Sequence, residues 1–195
     1  EKFVVLNFAE AFRLHTTMRL FLAIDLPEKA KDYLYNFAKN LNKDYVKVNW
    51  VPKKNLHLTL KFFGEVDEKK LDALKAELKN IKQEPFNVKL KGIGFFPDEK
   101  APRVIWVGIQ PEKEVIALQQ KIDEALLLSF PSDQKFQSHL TIGRVRAVKK
   151  PKEFAEVAKS LKVEEIEFEI SSFKLMESTL AASGPSYKLI EEFKM

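Results

Sequence analysis

The chain has 195 residues, 45% of them hydrophobic, no cysteine and a formal net charge of +5. That apolar share supports a core of ordinary size in one domain or two small lobes, and the composition excludes a disordered chain. The lack of cysteine excludes disulfides, thiol catalysis and cysteine-ligated zinc or iron–sulfur centres, while the mild basic excess suits a polyanionic partner.

Residues 1–17 read as an N-terminal extension without a signal-peptide pattern, and His15 within it is assigned to no site. The folded part is expected over 18–195, as one domain or two small lobes. Residues 19–26, RLFLAIDL, form an apolar run ended by Pro27, which predicts a buried strand. Ala30, Leu34, Phe37, Ala38 and Leu41 then recur at helical spacing. VKVNWV at 46–51 predicts a strand ended by Pro52. LHLTLKFF at 56–63 alternates cleanly. Alternation puts Leu56, Leu58, Leu60 and Phe62 on one face and His57, Thr59, Lys61 and Phe63 on the other.

Asp67 stands at the N-cap position of a helix carrying Leu71, Leu74, Leu78 and Ile81. FNVKLKGIGFF at 86–96 is a strand whose Gly92 and Gly94 predict a bulge or a close backbone approach. RVIWVGIQ at 103–110 is another strand, and a helix runs from Pro111 to about residue 128. SHLTIGRV at 138–145 repeats the first pattern, with Leu140 and Ile142 opposite His139 and Thr141. A short helix spans 152–160. In 163–175 the parity of Phe173 and Leu175 opposes that of Ile166, Phe168 and Ile170, which predicts a bulge at Ser171–Ser172. SGP at 183–185 is a turn before a last strand, SYKLIEEF. This order predicts an α+β fold of mostly antiparallel sheets, with helices on the outer faces and two loosely repeated halves.

Only three histidines are present, and two of them open HLTL (57–60) and HLTI (139–142). On a strand, residues two apart point the same way, so each motif sets an imidazole beside a hydroxyl and turns its aliphatic residues to the core. Two such strands facing one cleft suit phosphoryl transfer from a strained diester. A neutral imidazole takes a proton from the attacking oxygen, an imidazolium gives one to the leaving oxygen, and the hydroxyls hold the phosphate oxygens. No metal or other cofactor is required. The symmetry of the motifs leaves open which histidine is acid and which is base.

The two HxTx motifs, with MRLFLAIDLP, HLTLKFFGEV, PRVIWVGI, HLTIGRV and ESTLAASGPSYKLI in that order, resemble the 2H phosphoesterase superfamily. Within it they are similar to the RNA 2′,3′-cyclic phosphodiesterases, historically called 2′-5′ RNA ligases. The resemblance covers Met18 to the C-terminus. It implies two pseudo-symmetric α+β lobes around a central cleft. His57 then matches the proton donor and His139 the proton acceptor, with Thr59 and Thr141 holding the phosphate. The implied reaction is hydrolysis of an RNA 2′,3′-cyclic phosphate end to a 2′-phosphate. The alternatives are 2′-5′ ligation at the same site, or an RNA- or nucleotide-binding module without turnover.

Further substrate-binding candidates are Arg103, Arg144, Phe63 and Tyr187. Strict alternation sets Arg144 with Leu140 and Ile142, so it reaches the site only if the strand kinks at Gly143. Phe63 shares the His57 parity and could stack on a base, although core packing is the commoner fate of a phenylalanine. Trp50 and Trp106 are assigned to the core, and the Lys-Lys pairs at 53, 69 and 149 to solvated faces. The expected partner is an RNA or oligonucleotide with a cyclic phosphate end, tRNA or free nucleotides included. The chain is expected to be a cytoplasmic monomer with no membrane contact.

Overall fold

A computed structural model describes residues 16–41, 44–132, 135–181 and 184–195. The extension through residue 15, with His15, and Ser183 of the expected turn lie outside these. Among the described residues are nine strands and four helices. They run β1 (Thr17–Asp25), α1 (Glu28–Asn40), β2 (Val46–Trp50), β3 (His57–Asp67), α2 (Leu71–Lys79), β4 (Phe86–Phe96) and β5 (Val104–Gln110). After these come α3 (Glu112–Ala125), β6 (Leu140–Val148), α4 (Pro151–Ser160), β7 (Glu167–Ile170), β8 (Ser172–Ala181) and β9 (Gly184–Lys194). The α+β class with antiparallel pairing is as expected. β1 begins one residue before Met18, and Thr16 and Thr17 bond the side chains of Glu68 and Glu65. Asp67 accepts from the N–H of Lys69 at 2.9 Å, capping a 3-10 turn that leads into α2.

The strands form one sheet in the order β7-β4-β5-β6-β3-β1-β8-β9, with β2 also on β6. Every pairing is antiparallel. β3 and β6 touch at one register pair, Leu58 with Leu140, the middle residues of the two motifs. β2 takes the rest of that edge of β6, from Trp50↔Gly143 to Val46↔Val148. The motif strands therefore splay past the crossing and divide the sheet into two lobes. One lobe is β3-β1-β8-β9 and the other is β6-β5-β4-β7 with β2. These lobes are not the consecutive halves of the chain, because β8 and β9 return to complete the lobe that β1 and β3 begin.

The expected bulge at Ser171–Ser172 is instead a crossing between lobes. β7 pairs with β4 and β8 pairs with β1, with Ser171 alone between them. Strands at remote places in the sheet order can be joined by one residue only if the sheet curls strongly. The change of parity has the same origin, since Ile170 and Phe173 enter the core from different lobes.

One face of the curled sheet carries Leu20, Leu22, Ile24, Leu58, Ile105, Val107, Leu140 and Ile142. These pack with Leu34 of α1, Leu74 and Leu78 of α2, and Val115, Leu118 and Ile122 of α3. Phe154 and Ala158 of α4 cover Val46 in a smaller cluster. The helices thus lie on one side of the sheet, and the motif histidines and threonines project from the other.

Candidate active site

The crossing of the two motifs fixes the geometry. Leu58 and Leu140 are buried and face the helices, so alternation turns His57, Thr59, His139 and Thr141 to the open face. His57 opens β3, and His139 immediately precedes β6. Each ring is held in the same way. Nδ1 of His57 lies 2.7 Å from the carbonyl oxygen of Asn55, and Nδ1 of His139 lies 2.8 Å from that of Gln137. A carbonyl only accepts, so each Nδ1 carries the hydrogen and Nε2 is the working nitrogen. Nε2 of His57 is 3.0 Å from the Thr59 hydroxyl.

The surroundings of the rings differ. His57 sits among Phe21 (5.1 Å between ring centroids) and Tyr187 (5.3 Å, edge to face). Burial pushes its proton affinity below the usual histidine value. The Asn55 carbonyl and the Asp25 charge oppose that shift, and the Lys31 and Arg144 charges add to it. Burial also pushes the Tyr187 phenol up, against the pull of Arg144 and Arg19, which keeps it a neutral hydrogen-bonding group. Asn55 ties this corner together: its side-chain amide donates to the Pro185 carbonyl at 2.9 Å, two residues from Tyr187. His139 lies edge-on to Phe96 at 4.9 Å and 6.3 Å from Trp106. Trp106, expected in the core, is the cross-strand neighbour of Thr141. Its indole crosses Gly94, where a Cβ would fall 2.1 Å from the ring. What approaches Gly94 is thus a side chain and not the backbone, while the expected bulge occurs, between Leu90 and Ile93.

Two bulges redistribute the secondary candidates. On β6 the partners step from Trp106↔Thr141 to Ile105↔Gly143 and Val104↔Arg144, which leaves Ile142 as the extra residue. Val104 and Trp106 share a face of β5, so Arg144 shares one with Thr141, and the kink alternative holds. On β3 the partners step from Ala23↔Thr59 to Leu22↔Lys61, and then from Phe21↔Phe62 to Leu20↔Gly64. Gly64 has φ +71°, the left-handed conformation that a glycine adopts without strain at such a bulge. The first step turns Lys61 to the core, where it is 7% exposed and pairs with Asp123 at 2.7 Å and with Ser132. Phe63 consequently packs against Phe130 (5.0 Å) and the core, away from the site. Phe62 takes the place expected of Phe63, 6.0 Å from Phe21 and 73% exposed.

Arg103 is exposed and precedes β5. Its backbone N–H bonds Phe96 and its carbonyl bonds Val145. Among the described residues, no hydrogen bond or ion pair brings its guanidinium to the motifs. An open groove of about 590 Å³ lined by Glu28, Tyr35, Trp50 and Lys53 contains no residue of either motif. Among the described residues no group of three His, Asp or Glu side chains could hold a metal ion, and no helix is long and apolar enough to cross a membrane.

Residues 24–106 and 107–187 each match the family model described as LigT like Phosphoesterase, one motif in each copy. The RNA 2′,3′-cyclic phosphodiesterase of Methanocaldococcus jannaschii is 40% identical over 180 residues, 90% of this chain and 100% of that protein. The protein of the same name from Archaeoglobus fulgidus is 36% identical over 179 residues, 91% of this chain and 100% of its own. A crystal structure of a Thermus thermophilus protein superposes with TM-score 0.74 at 29% identity, covering 91% of this chain and 97% of that one. Escherichia coli LigT complexed with 3′-AMP superposes with TM-score 0.74 at 25% identity, covering 92% of this chain and 99% of that one. Paired motifs, curled antiparallel sheet and two-copy match converge: the chain belongs to the LigT-like phosphoesterase family.

Proposed function

We propose that this chain hydrolyses RNA 2′,3′-cyclic phosphate ends to 2′-phosphomonoesters by two-histidine acid–base catalysis without a metal. The observation that carries this reading is the crossing of the motifs at Leu58 and Leu140. It turns two imidazoles and two hydroxyls to one face, each imidazole with Nδ1 tied to a backbone carbonyl. The names of the relatives support the substrate class. In the proposed reaction His139 takes the proton of a water molecule as its oxygen attacks phosphorus in line. The bond from phosphorus to the 3′-oxygen breaks, and His57 gives that oxygen a proton. The next turnover begins once solvent has returned the proton to His57 and removed one from His139. Thr59 and Thr141 donate to the non-bridging oxygens, Arg144 adds a cation on the same face, and Tyr187 and Phe62 offer aromatic surface to a base.

The deeper seat of His57, against aromatic rings, suits a group that must meet the leaving oxygen out of water. The same reading takes residues 18–195 as one bilobal domain. It makes the protein a cytoplasmic monomer acting on single-stranded RNA ends, tRNA termini and free cyclic nucleotides included.

An oligonucleotide ending in a 2′,3′-cyclic phosphate is the direct test. A 2′-phosphate product, formed equally in excess chelator and lost on His57→Ala or His139→Ala, is the expected result. A 3′-phosphate product would overturn the assignment of the leaving oxygen. Activity restored to a chelated sample by zinc or magnesium would overturn the metal-free mechanism.

A further inference from the structure

Asp25 ends β1 as the direct cross-strand partner of His57. Alternation from Phe21, which lies against the His57 ring, places Ala23 and Asp25 on the face that carries the site. The Asp25 carboxylate takes Lys31 at 2.6 Å on Oδ1 and Lys174 at 2.8 Å on Oδ2, and accepts from the Leu26 N–H at 2.9 Å. Three elements thus meet at one carboxylate: β1, α1 and β8. Lys31 is only 8% exposed, deep for an ammonium group, and the reaction above uses neither lysine.

Nothing in packing alone calls for two ammonium groups at this point, since burying charge is unfavourable unless the pairing is good. Their bonds to a carboxylate directly across from His57 supply the reason. A lone carboxylate next to an imidazole holds the ring protonated, and lone ammonium groups strip it of its proton. A proton donor needs neither extreme. We propose that the Lys31–Asp25–Lys174 cluster is a positioning device for His57, fixing a partly neutralised carboxylate beside the ring so that it both holds a proton and releases it. The kinetic part of this inference rests on the reading of His57 as proton donor; the electrostatic part does not. Facing His57 are Asp25 from β1, Lys31 from α1, Arg144 from β6 and Tyr187 from β9, with Lys174 from β8 acting through Asp25. The Asp25 carboxyl is destabilised as an anion by burial, yet its hydrogen bonds to Lys174 and Lys31 outweigh that and keep it ionised.

The test is an NMR titration of the His57 ring in 15N-labelled full-length protein, the signal assigned with His57→Ala. Asp25→Asn is expected to move the His57 midpoint to lower pH, and Lys174→Met to move it to higher pH. In kinetics, Asp25→Asn should lower kcat about tenfold at pH 7.5 with KM within about twofold, and Asp25→Glu should recover part of the loss. A cluster that only supports the fold would lower the melting temperature and leave both midpoints where they are, and that result overturns the proposal. If Asp25→Asn does not fold, Lys174→Met decides the matter, because Lys174 is the more exposed lysine. Hydrolysis with unmoved midpoints sinks the cluster and leaves the function standing. Moved midpoints without hydrolysis sink the function and leave the cluster.

Discussion

His57 and His139 use the same backbone anchor, a carbonyl two residues upstream, and each lies against two aromatic rings, while burial lowers the proton affinity of His57. Protonating His57 therefore favours the unfolded chain, where the ring regains its ordinary affinity. Its contribution to stability is full above the free-histidine value of about 6.5 and is lost as pH falls below it. Melting temperatures measured from pH 7.5 to 5 should fall less steeply for His57→Gln than for the parent; equal slopes would sink the claim. Thr59 touches His57 and shares its face, so Thr59→Val should reduce kcat about 100-fold, as loss of one preorganised donor does, with the fold intact by circular dichroism. Phe62 and Phe63 divide their roles by face. Phe62→Ala should raise KM for an oligonucleotide several-fold and leave the melting temperature unchanged. Phe63→Ala should cost on the order of 2 kcal/mol of stability in denaturant titration, less than a fully buried phenylalanine, and leave KM unchanged. The reverse pattern would refute the facing of both residues.

At the level of elements, the motif strands were readable because period-two alternation holds from Leu56 to Thr59 and from His139 to Ile142. It fails just beyond, at Leu60–Lys61 and at Ile142–Gly143, where an extra residue enters each strand. A bulge has no clear local signature in LKFFG or TIGRV, so strict alternation puts Lys61, Phe62 and Phe63 each on the wrong face, although core packing, the commoner fate of a phenylalanine, is the fate of Phe63. Arg144 was legible only as a choice between two. Phe21, Phe96 and Asp25 carry no signal of a site, and Trp106 reads as core, for another reason. They reach the histidines by pairing with strands far away in the chain, and RLFLAIDL and IGFF look like ordinary core. Leu58 and Leu140 show the opposite case, since their parity alone places them in the core. Leu58→Ala should destabilise the protein by about 3 kcal/mol through the cavity it leaves. It should also lower kcat, because the crossing that aligns the two motifs is a single register pair. Full activity in a destabilised Leu58→Ala would show that the crossing does not align the site.

For the whole molecule, the class and the antiparallel pairing followed from element order, with strands interspersed by helices and lacking a βα rhythm. The assignment of strands to lobes did not, because nothing local in a strand names its distant partner. The expected halves were consecutive, whereas the lobes share the chain unevenly. Residues 172–194 supply the outer strands of the lobe that carries the first motif. Removing residues 184–195 should therefore abolish catalysis by taking Tyr187 from His57 and the Pro185 anchor from Asn55. Retained turnover in that truncation would show that β9 is dispensable to the site.

The return of β8 and β9 also sets the order of events on the ribosome. The first motif emerges early, but β8, which flanks β1, and β9, whose Tyr187 walls His57, are made after both motifs. Lys174 and Tyr187 both belong to this late segment. A nascent chain cannot close the corner around His57 until these later strands have emerged, so both motifs leave the ribosome before the walls that one of them needs.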